Sequence, residues 1–154
     1  KKLIENNKVR FRYVPIPEKQ PFLVTQVYCS ALSVGYSRVD PALWEPFARL
    51  VLRATYEATL LVSVVNTIKQ LRRCGVSGGG GGMKSLPVTL LTKVGGGVFG
   101  NEQQWIQNSI VAATESATKV SSKMVPLNLR LVHYGWIDAG YDTTCRECED
   151  IGGQ

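Results

Sequence analysis

The sequence predicts a layered α/β domain with a largely parallel sheet, and three observations support this. Strand-like and helix-like runs alternate along 154 residues, a length that allows one domain with a proper core. A long run with helical periodicity, residues 40–73, occupies the middle of the chain. A glycine turn at residues 95–100 follows a strand-like run and precedes a second helical run. This order is typical of strand–helix–strand units, whose strands are parallel.

Four runs are predicted to be strands. Residues 8–16 alternate apolar and cationic side chains, as in a half-buried strand at a sheet edge. Residues 22–30 have few polar side chains and predict a more central strand. Residues 86–94 are rich in β-branched and apolar side chains and predict a buried strand, and residues 127–134 alternate as a last strand.

Two helices are predicted. Asp40 and Pro41 fit an N-cap followed by proline in the first turn. One apolar face then recurs at helical spacing: Phe47, Leu50, Val51, Ala54, Ala58, Leu61, Val65 and Ile68. A second face is also partly apolar, so we expect this helix to be packed on more than one side: Leu52, Tyr56, Leu60 and Val62. Asn101 and Gln104 fit a capping box at the start of the second helix. Its predicted buried side is Trp105, Ile106, Ile110, Ala113 and Ala117.

The functional argument depends on the turn between the strand at 86–94 and the second helix. The turn consists of Gly95, Gly96, Gly97, Val98, Phe99 and Gly100, followed by Asn101. A strand before it and a helix after it direct backbone N–H groups and the positive end of a helix dipole at one place, which suits phosphate or pyrophosphate. The alternative is a tight turn whose glycines only supply positive φ angles. Three adjacent glycines exceed what one turn needs, so we favour anion binding.

The net charge of +6 and the pI of about 9.3 favour anionic partners. Nucleic acid is not expected, because the lysines and arginines are scattered and do not interleave with aromatic residues. No apolar run is long enough for a membrane span, so we expect no membrane partner and a cytoplasmic location. The chain begins at Lys1 rather than at methionine, which is compatible with a fragment of a longer protein.

Cysteine usage indicates neither a metal nor another cofactor. Cys145 and Cys148 form a lone CxxC with no second pair, and we interpret them as reduced thiols. Residues 143–154 are expected to be a loosely attached tail of one domain that spans residues 1–154. The five glycines at 78–82 are interpreted as a flexible surface loop, since no strand and capped helix flank them.

A dinucleotide-binding fold is the alternative that the glycine turn itself suggests. Gly95, Gly97 and Gly100 fit the pattern G-x-G-x-x-G after a strand. That fingerprint requires an acidic residue at the end of the next strand, and residues 127–134 carry none. A P-loop is excluded more firmly, because no Gly-Lys-Ser/Thr follows the turn. A Rossmann-type NAD-dependent oxidoreductase therefore stays the second choice among enzymes.

Residues 90–106, the helix after them and residues 127–134 resemble the C-terminal half of a macro domain. The resemblance covers roughly residues 22–136. It implies a three-layer αβα fold with a mixed sheet and helices on both faces. In that family, a glycine-bearing loop after a central strand holds the diphosphate of ADP-ribose.

Macro domains make two further ligand contacts, through an aromatic residue and through a segment at the distal ribose, and this sequence matches them only in part. An aromatic residue follows the next strand in macro domains, and here Tyr134 or Trp136 follows it, with core packing as the alternative role. The residues from Cys29 to Leu32 stand where the family usually has Asn-Ala-Ala-Asn, which leaves the distal-ribose contacts open. By position, the loops 30–36 and 95–101 should flank one cleft.

Three sequence segments, CSALSVGYS, LWEPFARLVL and ATYEATLL, also resemble a branch of the macro-domain family. This branch includes bacterial effector domains that remove ADP-ribose from ubiquitin. This implies an ADP-ribosylated protein, such as ubiquitin, as partner and, for an effector, the host cytoplasm as location. It implies Glu45 or Asp40 as the catalytic acid, although charge complementing a helix dipole is the alternative role of Glu45. Covalent hydrolysis through Ser30 or Cys29 is not expected, because no sequence feature joins them to His133.

We therefore expect a domain that binds ADP-ribose and, as an enzyme, hydrolyses the ADP-ribosyl–protein bond. A non-catalytic ADP-ribose reader is the alternative. The expected ligand-binding residues are Ser30, Ala31, Tyr36, Gly95, Gly96, Gly97, Val98, Phe99, Gly100, Asn101 and Tyr134.

Overall fold

The computed structural model describes residues 2–5, 8–11, 23–75, 86–121, 125–133 and 140–152. The described elements follow in the order β1 (Lys2–Glu5), β2 (Lys8–Phe11), a 3-10 turn (Val34–Tyr36), α1 (Pro41–Gly75), β3 (Val88–Thr92), α2 (Gln103–Val120), β4 (Asn128–Val132) and α3 (Tyr141–Gly152). The chain is therefore of mixed α/β class, as predicted.

The strands within the described residues form two separate pairs. β3 and β4 are parallel, with Val88 opposite Asn128 and Thr92 opposite Val132. Helix α2 connects them, so β3, α2 and β4 form the strand–helix–strand unit that the sequence predicts. β1 and β2 are antiparallel. The strand predicted at 8–16 is confirmed over Lys8–Phe11, but it pairs with β1, which was not predicted, and not with the parallel strands. The rest of residues 8–16 lies outside the described residues.

The predicted strand at 22–30 is wrong over the residues that the structure describes. Residues 23–33 contain neither helix nor strand. Leu23 is 94% exposed and Tyr28 is 88% exposed. The apolar composition of the segment is therefore not sufficient to place it in the sheet, since a strand also needs a partner with a free edge.

Helix α1 is confirmed, and the second of its two predicted apolar faces forms most of its core side. The core side consists of Ala48, Leu52, Tyr56, Leu60 and Val64. The face with the more regular apolar spacing lies in solvent, with Phe47 53% exposed and Leu50 61% exposed. The first face is not wholly exposed, because Val51, Leu61 and Ile68 are half-buried and Ile68 packs against the core cluster. Tyr56 explains the choice, because its hydroxyl group has partners only at the end of β3.

Helix α2 has the buried side that its periodicity predicts. Trp105, Ile106 and Ile110 are all less than 7% exposed, and Ala113 and Ala117 are completely buried. The two alanines let α1 and α2 approach closely, and these helices share the most extensive contact between described elements. Burial of a side chain such as Ile106 stabilises the fold by about 1.5–3 kcal/mol.

The C-terminal part is attached to the core where a loose tail was expected. Helix α3 packs against α2, with Tyr141 and Thr144 buried. Cys148 also packs against the core cluster. Among the described helices, none combines the length and the apolar character needed to cross a membrane.

Candidate phosphate-binding site

The candidate site begins where β3 ends, and a buried tyrosine of α1 fixes that point. The Tyr56 hydroxyl donates to the carbonyl oxygen of Thr92 at 2.8 Å and accepts from the backbone N–H of Val94 at 3.0 Å. Burial raises the pKa of Tyr56 to about 12, while the hydrogen bond from Val94 opposes the rise. The hydroxyl therefore keeps its proton at neutral pH, and it ties the start of the glycine turn to α1.

The glycine turn is two consecutive tight turns. Gly96 N–H donates to the Lys93 carbonyl at 3.2 Å, and Gly100 N–H donates to the Gly97 carbonyl at 2.9 Å. Gly95, Gly97 and Gly100 have φ angles of +80°, +84° and +68°, which side chains rarely adopt. Three of the four glycines therefore have the conformation that the alternative interpretation, a tight turn, requires, and the anion-binding role stays a prediction.

Two of these glycines are also required by close contacts. A Cβ at Gly95 would lie 2.4 Å from the Ala31 Cβ, and one at Gly100 would lie 2.9 Å from the Gly35 backbone. Gly97 differs, because a Cβ there would meet nothing within 4 Å. The space in front of Gly97 is open, and this is where a ligand can approach the backbone.

Three successive backbone N–H groups, those of Gly97, Val98 and Phe99, lie in this part of the turn. Within the described part of the chain, the N–H groups of Gly97, Val98 and Phe99 donate to no protein group. Val98 is 71% exposed, so this end of the turn is accessible from solvent. Successive N–H groups next to a residue with positive φ form a concave anion-binding arrangement.

The loops 30–36 and 95–101, which the sequence predicts to flank one cleft, are in direct contact, and a cleft between them stays a prediction. Gly35 N–H donates to the Phe99 carbonyl at 2.8 Å. The rings of Tyr36 and Phe99 meet edge to face, with centroids 6.3 Å apart. Tyr36 is 68% exposed, which leaves most of its ring available to a ligand. Ala31 is buried against the turn, and Ser30 is exposed and donates to the Ala31 carbonyl at 3.2 Å.

Asn101 joins the two loops and does not cap α2, so the predicted capping box is wrong. Its amide nitrogen donates to the carbonyl of Leu32 at 2.7 Å and to that of Gly95 at 3.2 Å. An N-cap residue uses its side-chain oxygen as an acceptor, whereas the buried Oδ1 of Asn101 has no partner in the described structure. Glu102 occupies the N-cap position instead, without a side-chain capping bond.

The two predicted acids are both bound to α1 itself. Asp40 Oδ1 accepts the Ala42 N–H at 2.9 Å, which confirms Asp40 as a cap of that helix. Glu45 Oε1 accepts from Arg49 Nε at 2.7 Å, with both side chains more than one-third exposed. A catalytic role for either acid stays a prediction.

The remaining predicted residues separate into two groups. Tyr134 and Trp136 lie outside the described residues. Cys29, Cys145 and Cys148 are free thiols, and burial raises the pKa of both Cys145 and Cys148. The described residues contain no group of three or more His, Cys, Asp or Glu side chains that could hold a metal ion.

A groove of about 630 Å³ lies elsewhere, between α2, α3 and the strands β3 and β4. Apolar side chains such as Leu91, Ile110 and Leu131 line it, and it includes none of the predicted ligand-binding residues. The chemistry that the sequence indicates is at the glycine turn, so we place the candidate site there and not in the groove.

Sequence reasoning missed three contributors to the site: Tyr56, Gly35 and the amide of Asn101. Tyr56 was assigned to an apolar face, and no local pattern indicates that its hydroxyl reaches the end of a strand 36 residues away. Gly35 was part of a loop predicted to bind ligand, but its contact with Phe99 could not be predicted from spacing.

Comparison of the chain with family models, curated proteins and solved structures found no match in any of the three.

Proposed function

We propose that this chain binds ADP-ribose, with the diphosphate held by the glycine turn. The observation that carries the proposal is the row of free backbone N–H groups at Gly97, Val98 and Phe99, in front of open space. Such donors suit phosphate oxygens, because a diphosphate presents several acceptors at the spacing of successive peptide groups.

The loop 30–36 supports ADP-ribose over a simple phosphate. It is fixed beside the turn by the Gly35–Phe99 and Asn101–Leu32 hydrogen bonds, so a ligand on the turn extends over it. The exposed ring of Tyr36 offers a surface on which a ribose or a base can lie. The resemblance to macro domains implies the same use of both loops, and we propose the three-layer macro fold on that basis.

The partner we propose is an ADP-ribosylated protein, with ubiquitin as the candidate that the sequence resemblance suggests. The described contacts favour a reader, because Asp40 caps α1 and Glu45 is paired with Arg49. Hydrolysis is the second candidate, since the Glu45 side chain is 40% exposed in the first turns of α1, just after the ligand loop.

Ligand choice is tested by thermal unfolding. A ligand that binds only the native state stabilises it by about 2.7 kcal/mol when its concentration is 100 times the Kd. We expect ADP-ribose to raise the Tm more than NAD or AMP does at matched concentration. A larger shift with NAD would favour the Rossmann alternative instead, and no shift with any of the three would contradict the proposal.

Hydrolysis is tested with ubiquitin that carries a radiolabelled ADP-ribosyl group. If the chain is a hydrolase, the label is released on incubation, and Glu45→Gln slows the release by at least about tenfold. Glu115→Gln is the matched control, because it removes the same charge from an exposed position on α2. If the wild type releases no label from any of several amino-acid linkages, only the non-catalytic reader hypothesis remains. If Glu45→Gln releases the label as fast as the wild type, Glu45 is not the catalytic acid, but another residue can be.

A further inference from the structure

Residues 23–30 follow α1 in an extended path. At one end the Asn66 amide donates to the Thr25 hydroxyl at 3.2 Å, and at the other end the Thr55 hydroxyl donates to the Ser30 carbonyl at 3.4 Å. The helix rises about 16 Å from Thr55 to Asn66, and a β-strand covers about the same distance from Thr25 to Ser30. The segment therefore has nearly the extension of a strand, although it belongs to no sheet.

Strand β3 follows α1 in the same direction as this segment. Ser63 of α1 is hydrogen-bonded to Thr89 near the start of β3, and Tyr56 donates to the Thr92 carbonyl at its end. The segment and β3 both run antiparallel to α1, so they are parallel to each other.

A narrow slot of about 140 Å³ separates the segment from β3. Val27 and Cys29 line it on one side, and β3 and Val94 line it on the other, with Thr59 among the α1 residues between them. The lining includes no residue of β4, so the slot lies at the edge of β3 that faces away from β4. Within the described residues, no strand pairs with this edge.

The segment has the two features that a strand needs for pairing. In the described structure, no backbone N–H group of residues 23–30 donates to a protein group. Its side chains alternate as well, because Val27 lines the slot whereas Val24 is 75% exposed and Tyr28 is 88% exposed. The unpaired edge of a strand such as β3 is a template for a further strand.

A third strand at this position also satisfies the handedness of parallel sheets. The segment is joined to β3 through α1, as β3 is joined to β4 through α2. When right-handed crossovers step across a sheet in one direction, their helices lie on the same face. Helices α1 and α2 do pack against each other, which is the arrangement that this strand order requires.

We propose that residues 24–29 are a strap that closes onto the free edge of β3 as a third, parallel strand, and that the structure shows the open form. In the closed form, backbone hydrogen bonds between the strap and β3 replace the slot. The strap continues directly into the loop 30–36, which is bonded to the glycine turn through Gly35 and Phe99. Closure therefore anchors that loop at its other end as well, and it requires no ligand on the turn.

Amide hydrogen exchange of the full chain, followed residue by residue by NMR, tests the closure. An edge strand directs the N–H groups of alternate residues to its neighbour and the others to solvent. After correction for intrinsic rates, one alternate set within residues 24–29 should therefore exchange at least about tenfold more slowly than the other set. Uniformly fast exchange, or equal protection of both sets, would overturn the proposal.

Substitution of Thr59 tests whether the protection comes from pairing across the slot. The ring of Thr59→Phe should fill the slot, hold the strap away from β3 and abolish the alternating protection. Thr59→Val is the matched control, because it keeps the size of the side chain and removes only a hydroxyl that donates to the Thr55 carbonyl within α1 at 2.8 Å. The alternating protection should remain in this variant.

The amides of α2 serve as the internal reference for folding and should keep their protection in both Thr59 variants. Alternating protection that persists in folded Thr59→Phe, or that is lost in folded Thr59→Val, would contradict pairing with β3 across this slot. If Thr59→Phe does not fold, the exchange pattern of the wild type decides alone.

Discussion

At the residue scale, the glycines of the turn meet different demands. Gly95 and Gly100 cannot be replaced without a steric clash. A Cβ on Gly95 would collide with Ala31, and a Cβ on Gly100 would collide with the backbone of Gly35. Gly97 has a positive φ and no neighbour. A substitution at Gly97 therefore changes the ligand space with little damage to the packing, and it is the residue at which binding and folding are most easily separated.

Gly97→Glu is expected to abolish ADP-ribose binding while the protein remains folded. The carboxylate would project into the open space and repel the diphosphate, which at low effective dielectric removes several kcal/mol of binding. The positive φ costs about 1–2 kcal/mol of folding stability for any side chain. Calorimetric titration measures the binding, and circular dichroism measures the folding.

Gly97→Ala is the control for this substitution, because it keeps most of the backbone strain and adds no charge. It should bind ADP-ribose more weakly than the wild type but measurably. If Gly97→Glu folds and binds with wild-type affinity, the turn does not hold the diphosphate, and the resemblance to macro domains loses its main support.

At the element scale, the elements that the sequence predicts correctly are those with strong local patterns. α1 has a cap at Asp40 and 35 helical residues, and α2 has a regular buried side. The parallel pairing of β3 with β4 follows from the helix between them. The glycine turn is likewise local, since its positive φ angles depend on glycine alone.

The features that the sequence did not predict depend on distant contacts. Residues 22–30 have the composition of a strand, but pairing requires a free edge in register, and no pattern within the segment encodes one. Asn101 satisfies the local rule for a cap, yet two carbonyls, one from each loop, bind its amide. For α1, both faces are apolar, and which face is buried depends on where Tyr56 finds its partners.

The start of α2 gives a prediction about this element. Glu102 stands at its N-cap, one residue after Asn101, where a carboxylate is stabilised by the helix dipole by about 0.3–1 kcal/mol. The same charge repels a diphosphate on the adjoining turn. Glu102→Gln should therefore strengthen ADP-ribose binding by about two- to fivefold, and it should lower the stability of the free protein slightly.

Glu115→Gln is the matched control for Glu102→Gln, because it removes the same charge from an exposed position further along α2. Titration of both variants with ADP-ribose separates a local effect from a change of net charge. Equal strengthening by the two substitutions would mean that Glu102 is not near the diphosphate.

At the scale of the whole molecule, the position of the site and the net charge act together. The glycine turn follows the carboxyl end of β3, which is the edge at which open parallel sheets bind their ligands. The chain has 18 lysines and arginines against 12 aspartates and glutamates, giving a net charge of +6. These charges are spread over the sequence, so their field attracts an anion without providing a dense cationic patch.

This combination predicts how ADP-ribose binding depends on salt. The Debye length falls from about 30 Å at 0.01 M salt to about 3 Å at 1 M, so the field of distant charges is removed while hydrogen bonds from the turn remain. We expect the Kd for ADP-ribose to rise by about threefold or more over this range and then to level off, because neutral N–H donors hold the diphosphate at short range. A site made mainly of lysine and arginine contacts would instead keep losing affinity as the salt concentration increases.

Adenosine, which lacks the diphosphate, is the control, and its weaker binding should hardly change. A Kd for ADP-ribose that is independent of salt would show that the diphosphate is not bound within the field of this basic domain, and a parallel rise for adenosine would show that salt acts on the protein itself.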